Sequence, residues 1–139
     1  MSFPRASSRP GLLAAIVVVA AAAPMVYGLR HPSPYNPDNF EVIADGFART
    51  WTLSDRGNPT AERVPAYPML LGIFYKLFGH TYWAALLLNG LMAAGVSLGL
   101  FILGSRLFGE GVGWLASAIA AVYPPFVYYA SQPQRESFM

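Results

Sequence analysis

Three long stretches of this chain contain no Asp, Glu, Lys or Arg, and they lie at positions 10–29, 77–105 and 111–134. A helix of about 20 apolar residues crosses the roughly 30 Å hydrocarbon core of a bilayer. A charged side chain at the centre of such a helix costs about 3 kcal/mol on insertion scales, so charge-free runs of this length are informative. The sequence therefore predicts an all-α integral membrane protein with three transmembrane helices.

The composition agrees with this fold class. Hydrophobic residues make up 55% of the 139 residues and charged residues only 12%, whereas soluble domains carry about 25% charged residues. The net charge is only +2 and there is no cysteine. We therefore exclude a nucleic-acid partner, and also disulfides, thiolate catalysis and a cysteine-ligated zinc ion.

The charge pattern also predicts the boundaries of the spans and of the loops between them. The spans lie near residues 11–29, 81–103 and 111–130, with a long loop at 31–80 and a tight loop at 104–110. The first span has a second interpretation as a cleaved signal peptide, because Arg5 and Arg9 precede an apolar core and small residues follow it. Pro24 follows the best cleavage site and the apolar run continues to Tyr27, which favours a retained membrane anchor.

The N-terminal tail favours a cytoplasmic N-terminus, because it contains Arg5 and Arg9 and no acid. The long loop has more basic residues in total, but the inner segments are much shorter and their basic density is higher. This orientation puts residues 31–80 and the C-terminal end outside, and residues 104–110 inside. Seven of the eight tyrosines then lie near one membrane face, together with Trp83, as an aromatic belt.

The sequence of the first outer loop predicts two short helices that lie at the membrane interface. Asn36 and Pro37 indicate the start of the first helix, with Asn at the N-cap and Pro at the first helical position. Asp38 then falls in the first turn, where the helix dipole favours an ionised carboxylate. The apolar face follows at helical spacing: Phe40, Ile43, Phe47 and Trp51. Residues 54–64 are a polar turn, and the second helix runs from near Pro65 to a C-cap at Gly79.

On these observations alone, the charged residues of the loop need no chemical role. Asp38 could be a helix-start residue, and the other acids could balance the arginines of the loop. Arg63 could be a phosphate ligand or a surface charge that reaches water, and the second is more common. The three charge-free spans give no support to a proton or ion pathway.

Several short segments of the loops and spans occur in an informative order. They are DNFEVIA at 38–44, PTAERVPAYP at 59–68, LGIFYKLFG at 71–79, RLFG at 106–109 and AVYPPFVYY at 121–129, followed by Glu136. In this order the chain, from about residue 11 to its end, resembles the start of GT-C type membrane glycosyltransferases. It is most similar to the bacterial branch related to the protein mannosyltransferase family, glycosyltransferase family 39. The resemblance implies that residues 1–139 are the N-terminal part of a polytopic glycosyltransferase.

The resemblance implies a reaction and a set of site residues. Such enzymes transfer a sugar from a polyprenyl-phosphate donor to a glycan, lipid or protein acceptor on the outer side of the membrane. Asp38 matches the acid of the first outer loop, which is expected to act as the general base. Glu136 matches a second functional acid, although Arg135 stands where the family usually has Thr or Ser. Arg63 and Tyr67 match candidates for binding the phosphate or the sugar. No metal ligand is assigned, and a divalent cation stays open.

The location implied is the bacterial inner membrane, as a multi-pass protein surrounded by membrane lipid. Family members have many more membrane helices, so we expect this polypeptide to be truncated and inactive alone. The alternative function is that of a small non-enzymatic membrane accessory or assembly protein. A transporter component is disfavoured by the charge-free spans.

Overall fold

The computed structural model of the chain describes residues 10–32, 40–60 and 64–132. Within these residues the fold is a set of six helices and one two-stranded hairpin, in agreement with the predicted all-α class. The elements are α1 (Pro10–Arg30), α2 (Phe40–Thr50), β1 (Ser54–Asp55), β2 (Asn58–Pro59), α3 (Ala66–Phe78), α4 (Tyr82–Phe108), α5 (Glu110–Val122) and α6 (Pro124–Ala130).

The three predicted spans correspond to α1, to α4 and to the pair α5–α6. The helices α1 and α4 are each long and apolar enough to cross a membrane, and α5 and α6 reach that length together. The two helices of the pair are bent by 53° relative to each other at Tyr123. The bend has a local cause, because Tyr123 precedes Pro124 and the residue before a proline is driven out of the helical region. Its ψ of 116° is that of extended backbone.

The predicted loop at 104–110 is wrong in its extent, because α4 continues to Phe108 and Gly109 alone separates it from α5. Gly109 has a φ of 97°, a conformation that suits glycine and reverses the chain at once. The 27-residue helix is roughly 40 Å long, which exceeds the hydrocarbon core. The charge of Arg106 therefore marked the end of the apolar run and not the end of the helix.

Close contacts between small residues hold the spans together. A β-carbon on Gly90 of α4 would lie 2.6 Å from the Ala21 carbonyl oxygen of α1, so only a glycine fits there. The hydroxyl groups of Ser97 and Ser117 lie 2.9 Å apart in the buried interface between α4 and α5. Contacts of this kind replace the hydrophobic effect as the source of helix association within lipid.

The helix α2 is a short amphipathic helix whose apolar face is covered by α3. Phe40, Ile43 and Phe47 are buried there, as their helical spacing predicts. Trp51 is not part of this face, because the helix ends at Thr50 and Trp51 has a φ of 59° and a side chain that is 60% exposed. The ammonium group of Lys76 lies 4.1 Å from the centre of its ring, which is a cation–π contact.

The second loop helix, α3, packs between α2 and α4 and ends as predicted. The N–H of Gly79 donates to the Tyr75 carbonyl oxygen, and the φ of Gly79 is 84°, so this residue closes the helix. The opposite side of α3 exposes a row of apolar side chains at helical spacing: Leu70, Ile73 and Leu77. An exposed apolar face on a short helix is typical of a helix at a membrane interface.

The polar turn region at 54–64 contains a hairpin that the sequence did not predict. Ser54 pairs with Pro59 and Asp55 with Asn58. The two residues between the strands, Arg56 and Gly57, both have positive φ, which is typical of a two-residue hairpin turn whose twist matches its strands.

Candidate functional site

The ends of three helices meet at one end of the bundle, which we call the tyrosine-rich end. Tyr27 near the end of α1 makes an edge-on contact with Tyr128 of α6, with ring centres 6.2 Å apart. Tyr82, the first residue of α4, donates a hydrogen bond of 3.1 Å to the Ser131 carbonyl oxygen just after α6. The loop helices α2 and α3 pack beside this end, where α3 contacts α4.

Tyr67 is the predicted site residue that lies within the described residues. It stands in the first turn of α3, and only 2% of it is exposed. Its hydroxyl donates to the Asn89 side-chain oxygen over 3.1 Å, and its ring lies edge-on to that of Phe40, with ring centres 5.4 Å apart. Burial raises the pKa of Tyr67, and the nearby carboxylate of Glu41 adds to the increase. The phenol is therefore a neutral hydrogen-bond donor at physiological pH.

Asp38, Arg63 and Glu136 lie outside the described residues, but described residues lie within a few positions of Asp38 and of Glu136. Phe40, two positions after Asp38, packs on the ring of Tyr67. Gln132, four positions before Glu136, accepts a hydrogen bond of 2.8 Å at its carbonyl oxygen from the Asn89 side chain. The structure thus brings Phe40 and Gln132, the described residues nearest in sequence to Asp38 and Glu136, to the same pair of side chains, Tyr67 and Asn89.

Asn89 is the residue at this end that the sequence reasoning missed. It is 1% exposed in the middle of the first half of α4, and its carboxamide joins Tyr67 of α3 to Gln132 after α6. A signal was present, because a carboxamide inside a charge-free apolar helix is expensive to bury unless it has partners. In membrane helices such side chains usually form hydrogen bonds between helices.

One acid of α2, Asp45, has partners that explain it as a structural residue. The Asp45 carboxylate lies 2.9 Å from the Arg49 side chain and 3.4 Å from Nδ1 of His80. The His80 ring lies on Tyr75, with ring centres 4.4 Å apart. Burial, with a contribution from Glu41, raises the pKa of Tyr75 as well. These contacts fasten the end of α3 to α2.

The part of the chain that the structure describes has no group of three or more His, Asp or Glu side chains that could hold a metal ion. Asp38 and Glu136 are not among these residues. An apolar groove of about 450 Å³ lies at the bend between α5 and α6, with Pro24, Phe126 and Tyr129 among its lining residues.

The comparison with protein families decides the class of this protein. Residues 60–139 match the family described as dolichyl-phosphate-mannose-protein mannosyltransferase, which is more than half of the chain. The chain belongs to this family. The resemblance to GT-C type glycosyltransferases is therefore confirmed. Comparisons with curated proteins and with solved structures gave no significant match.

Membership of the mannosyltransferase family makes this chain a glycosyltransferase and a multi-pass membrane protein. The family implies a lipid-linked sugar donor, an acceptor and surrounding membrane lipid. It favours an enzyme over the non-enzymatic accessory protein. The match begins at residue 60, later than the resemblance read from the sequence, so it includes Arg63, Tyr67, Asn89 and Glu136 and leaves out Asp38.

Proposed function

We propose that this protein transfers a hexose or pentose from a polyprenyl-phosphate donor to a glycan, lipid or protein acceptor on the outer side of the bacterial inner membrane. The observation that carries the proposal is the match of residues 60–139 to the mannosyltransferase family. A lipid-linked donor enters from the bilayer, so its reacting phosphate lies at the interface. The tyrosine-rich end, with the loop helices α2 and α3 beside it, suits such a position because aromatic residues gather at membrane interfaces.

In this proposal Asp38 is the general base. Its carboxylate takes the proton of the acceptor hydroxyl, and the hydroxyl oxygen attacks the anomeric carbon of the sugar. The bond from that carbon to the phosphate oxygen breaks, and the lipid phosphate leaves with the bonding electron pair. Attack from the face opposite the leaving group inverts the anomeric configuration. Glu136 is the second functional acid of the same site.

The packing around Tyr67 and Asn89 supports a shared site for the two acids. Asp38 is joined to Phe40 through a single residue, and Glu136 follows Gln132 by four residues. Two residues span at most about 7 Å and four residues at most about 14 Å. Chain connectivity therefore ties both acids to the neighbourhood of one buried pair of side chains, although the two acids are 98 positions apart in the sequence.

The roles proposed for Arg63 and Tyr67 differ. Arg63 is the phosphate ligand, because a guanidinium group can donate two parallel hydrogen bonds to phosphate oxygens. The Tyr67 hydroxyl donates to Asn89 and its ring is buried, which suits a residue that fixes the position of the neighbouring loop. Tyr67 follows Arg63 by four residues and is the second residue of the helix after it.

The experiment that tests this function compares donor classes with the full-length protein in proteoliposomes. We expect label to move from a polyprenyl-phosphate sugar to an acceptor fraction, and no transfer from the corresponding nucleotide sugar. Transfer from the nucleotide sugar alone would contradict the proposal. Protein carrying Ser97→Ala is a suitable reference for handling and reconstitution, because Ser97 lies in the α4–α5 interface away from the tyrosine-rich end.

A further inference from the structure

We propose that Tyr82 and Asn89 of α4 are positioning residues that clamp the chain where it leaves α6, and so set the place of Glu136 relative to the first loop. We call Tyr82, Asn89 and the backbone of Ser131 and Gln132 the exit clamp. The inference rests on the proposed function, because it gives Glu136 a task in sugar transfer.

Two side chains of one helix hold two consecutive carbonyl groups. The Tyr82 hydroxyl donates to the Ser131 carbonyl oxygen over 3.1 Å, and the Asn89 side-chain NH₂ donates to the Gln132 carbonyl oxygen over 2.8 Å. Tyr82 and Asn89 are seven residues apart, which places them on the same face of α4. The last carbonyl groups of a helix lack partners within that helix, and here α4 supplies them for the segment after α6.

Three of the four residues of the clamp are buried, Tyr82 is half-buried, and the clamp is directional. Asn89 is 1% exposed, Ser131 is fully buried and Gln132 is 4% exposed. Apolar contact would be enough to hold α6 against α4, but it would leave the direction of the departing chain open. Hydrogen bonds to two successive carbonyl groups fix that direction, because each bond weakens steeply away from its preferred angle.

Asn89 also links the exit clamp to the first loop. Its side-chain oxygen accepts the hydrogen bond of Tyr67, whose ring packs on Phe40. One carboxamide therefore uses its acceptor for the loop that contains Asp38 and its donor for the segment that contains Glu136. No apolar side chain of the same size could hold both segments at once, since it offers neither a donor nor an acceptor.

The kinetic test uses the full-length enzyme with the variants Asn89→Leu and Tyr82→Phe, and Ser97→Ala as the matched control. Ser97 lies in the same helix, is equally buried and also bonds to a neighbouring helix. We expect kcat to fall about tenfold or more in Asn89→Leu and severalfold in Tyr82→Phe, with the donor KM changed less than twofold. Tyr82→Phe removes a single oxygen atom, so it keeps the test usable should Asn89→Leu fail to fold. A kcat in Tyr82→Phe equal to that of Ser97→Ala would overturn the positioning role.

A second readout needs no activity. Residues 1–139 contain no cysteine, so Gln134→Cys introduces a thiol just beyond the clamp, and its rate of modification by a maleimide, above that of the parent protein, can be measured in membranes. We expect Tyr82→Phe and Asn89→Leu to change that rate at least threefold and Ser97→Ala to leave it unchanged. Equal rates in all variants would overturn the clamp itself. Absence of transfer in the parent enzyme would instead count against the proposed function, while the modification rates would still decide on the clamp.

Discussion

Tyr67 and Tyr75 place two phenol groups inside the interface of α2, α3 and α4, and each is less than 5% exposed. A buried phenol pays a large cost to ionise, because the low-dielectric interior does not solvate the phenolate. The carboxylate of Glu41 stands near both and increases that cost. Tyr67 is therefore a structural hydrogen-bond donor, both tyrosines supply apolar surface, and neither is an acid or a base at physiological pH.

This burial predicts a loss of stability at alkaline pH. The pKa of each tyrosine is raised in the folded state, whereas the unfolded chain has a pKa near 10. The stability that they contribute is therefore complete below pH 10 and is lost as the pH rises above it. At pH 11 the loss is about 1.4 kcal/mol for each tyrosine. We expect Tm, measured in detergent, to fall between pH 9 and pH 11. The fall should be smaller in the double variant Tyr67→Phe/Tyr75→Phe than in the parent protein. An equal fall in parent and double variant would show that these phenols ionise freely.

Asn89 shows why part of the site escaped prediction. A single carboxamide in an apolar run indicates a buried polar contact, but the sequence does not say which of the distant segments supplies the partners. Tyr67 is 22 residues away and Gln132 is 43 residues away. Such contacts arise from the packing of whole helices, which depends on side-chain shape and not on periodicity.

At the scale of the elements, the interfaces between spans are controlled by a few close approaches of backbone. Gly90 meets the backbone of α1, whereas Gly95, five residues later in the same helix, has open space where a β-carbon would be. The pair separates the effect of packing from the effect of helix propensity, because both substitutions replace glycine by alanine within α4.

We expect Gly90→Ala to destabilise the protein by about 1–3 kcal/mol, which is typical of overpacking against atoms that cannot move away. Gly95→Ala should be neutral or stabilising by up to about 1 kcal/mol, because alanine favours the helix. The measurement is thermal or denaturant unfolding of the two purified variants in detergent. If the two variants unfold at the same temperature or denaturant concentration, the close approach of α1 and α4 described here is wrong.

The elements that could be predicted from the sequence are those with strong local causes. The spans follow from missing charges, the break at Pro124 from proline geometry, and the end of α3 from Gly79. The hairpin at Ser54–Asp55 and Asn58–Pro59 has strands of two residues each, too short to show an alternating pattern. The turn at Gly109 was hidden because a helix can continue past the membrane boundary, where charged residues are again tolerated.

In the whole molecule, sugar transfer on the outer side of the membrane requires the tyrosine-rich end to face outward. The arginines of the N-terminal tail favour a cytoplasmic N-terminus, and the fold places both the loop helices and the exit from α6 at the opposite end of α1 from that tail. Asn58 in the hairpin and Phe108 at the far end of α4 therefore stand on opposite sides of the membrane under this proposal.

Single cysteines test this arrangement, because the chain has no cysteine of its own. We expect Asn58→Cys to react with a membrane-impermeant maleimide in intact cells or spheroplasts. Phe108→Cys, whose parent side chain is 73% exposed, should react only after the membrane is opened. The reverse pattern would place the tyrosine-rich end in the cytoplasm and would contradict transfer on the outer side.

The most direct test of the proposed mechanism is the rate of sugar transfer by the full-length enzyme carrying Asp38→Asn, measured with a polyprenyl-phosphate sugar donor. Removal of a general base typically costs 10²- to 10⁴-fold in rate, and we expect kcat to fall by at least about 100-fold with the donor KM nearly unchanged. Glu41→Gln is the matched control, because it removes a neighbouring carboxylate of the same loop that we assign no catalytic role. Near-normal transfer by Asp38→Asn would remove Asp38 from the mechanism and contradict the account.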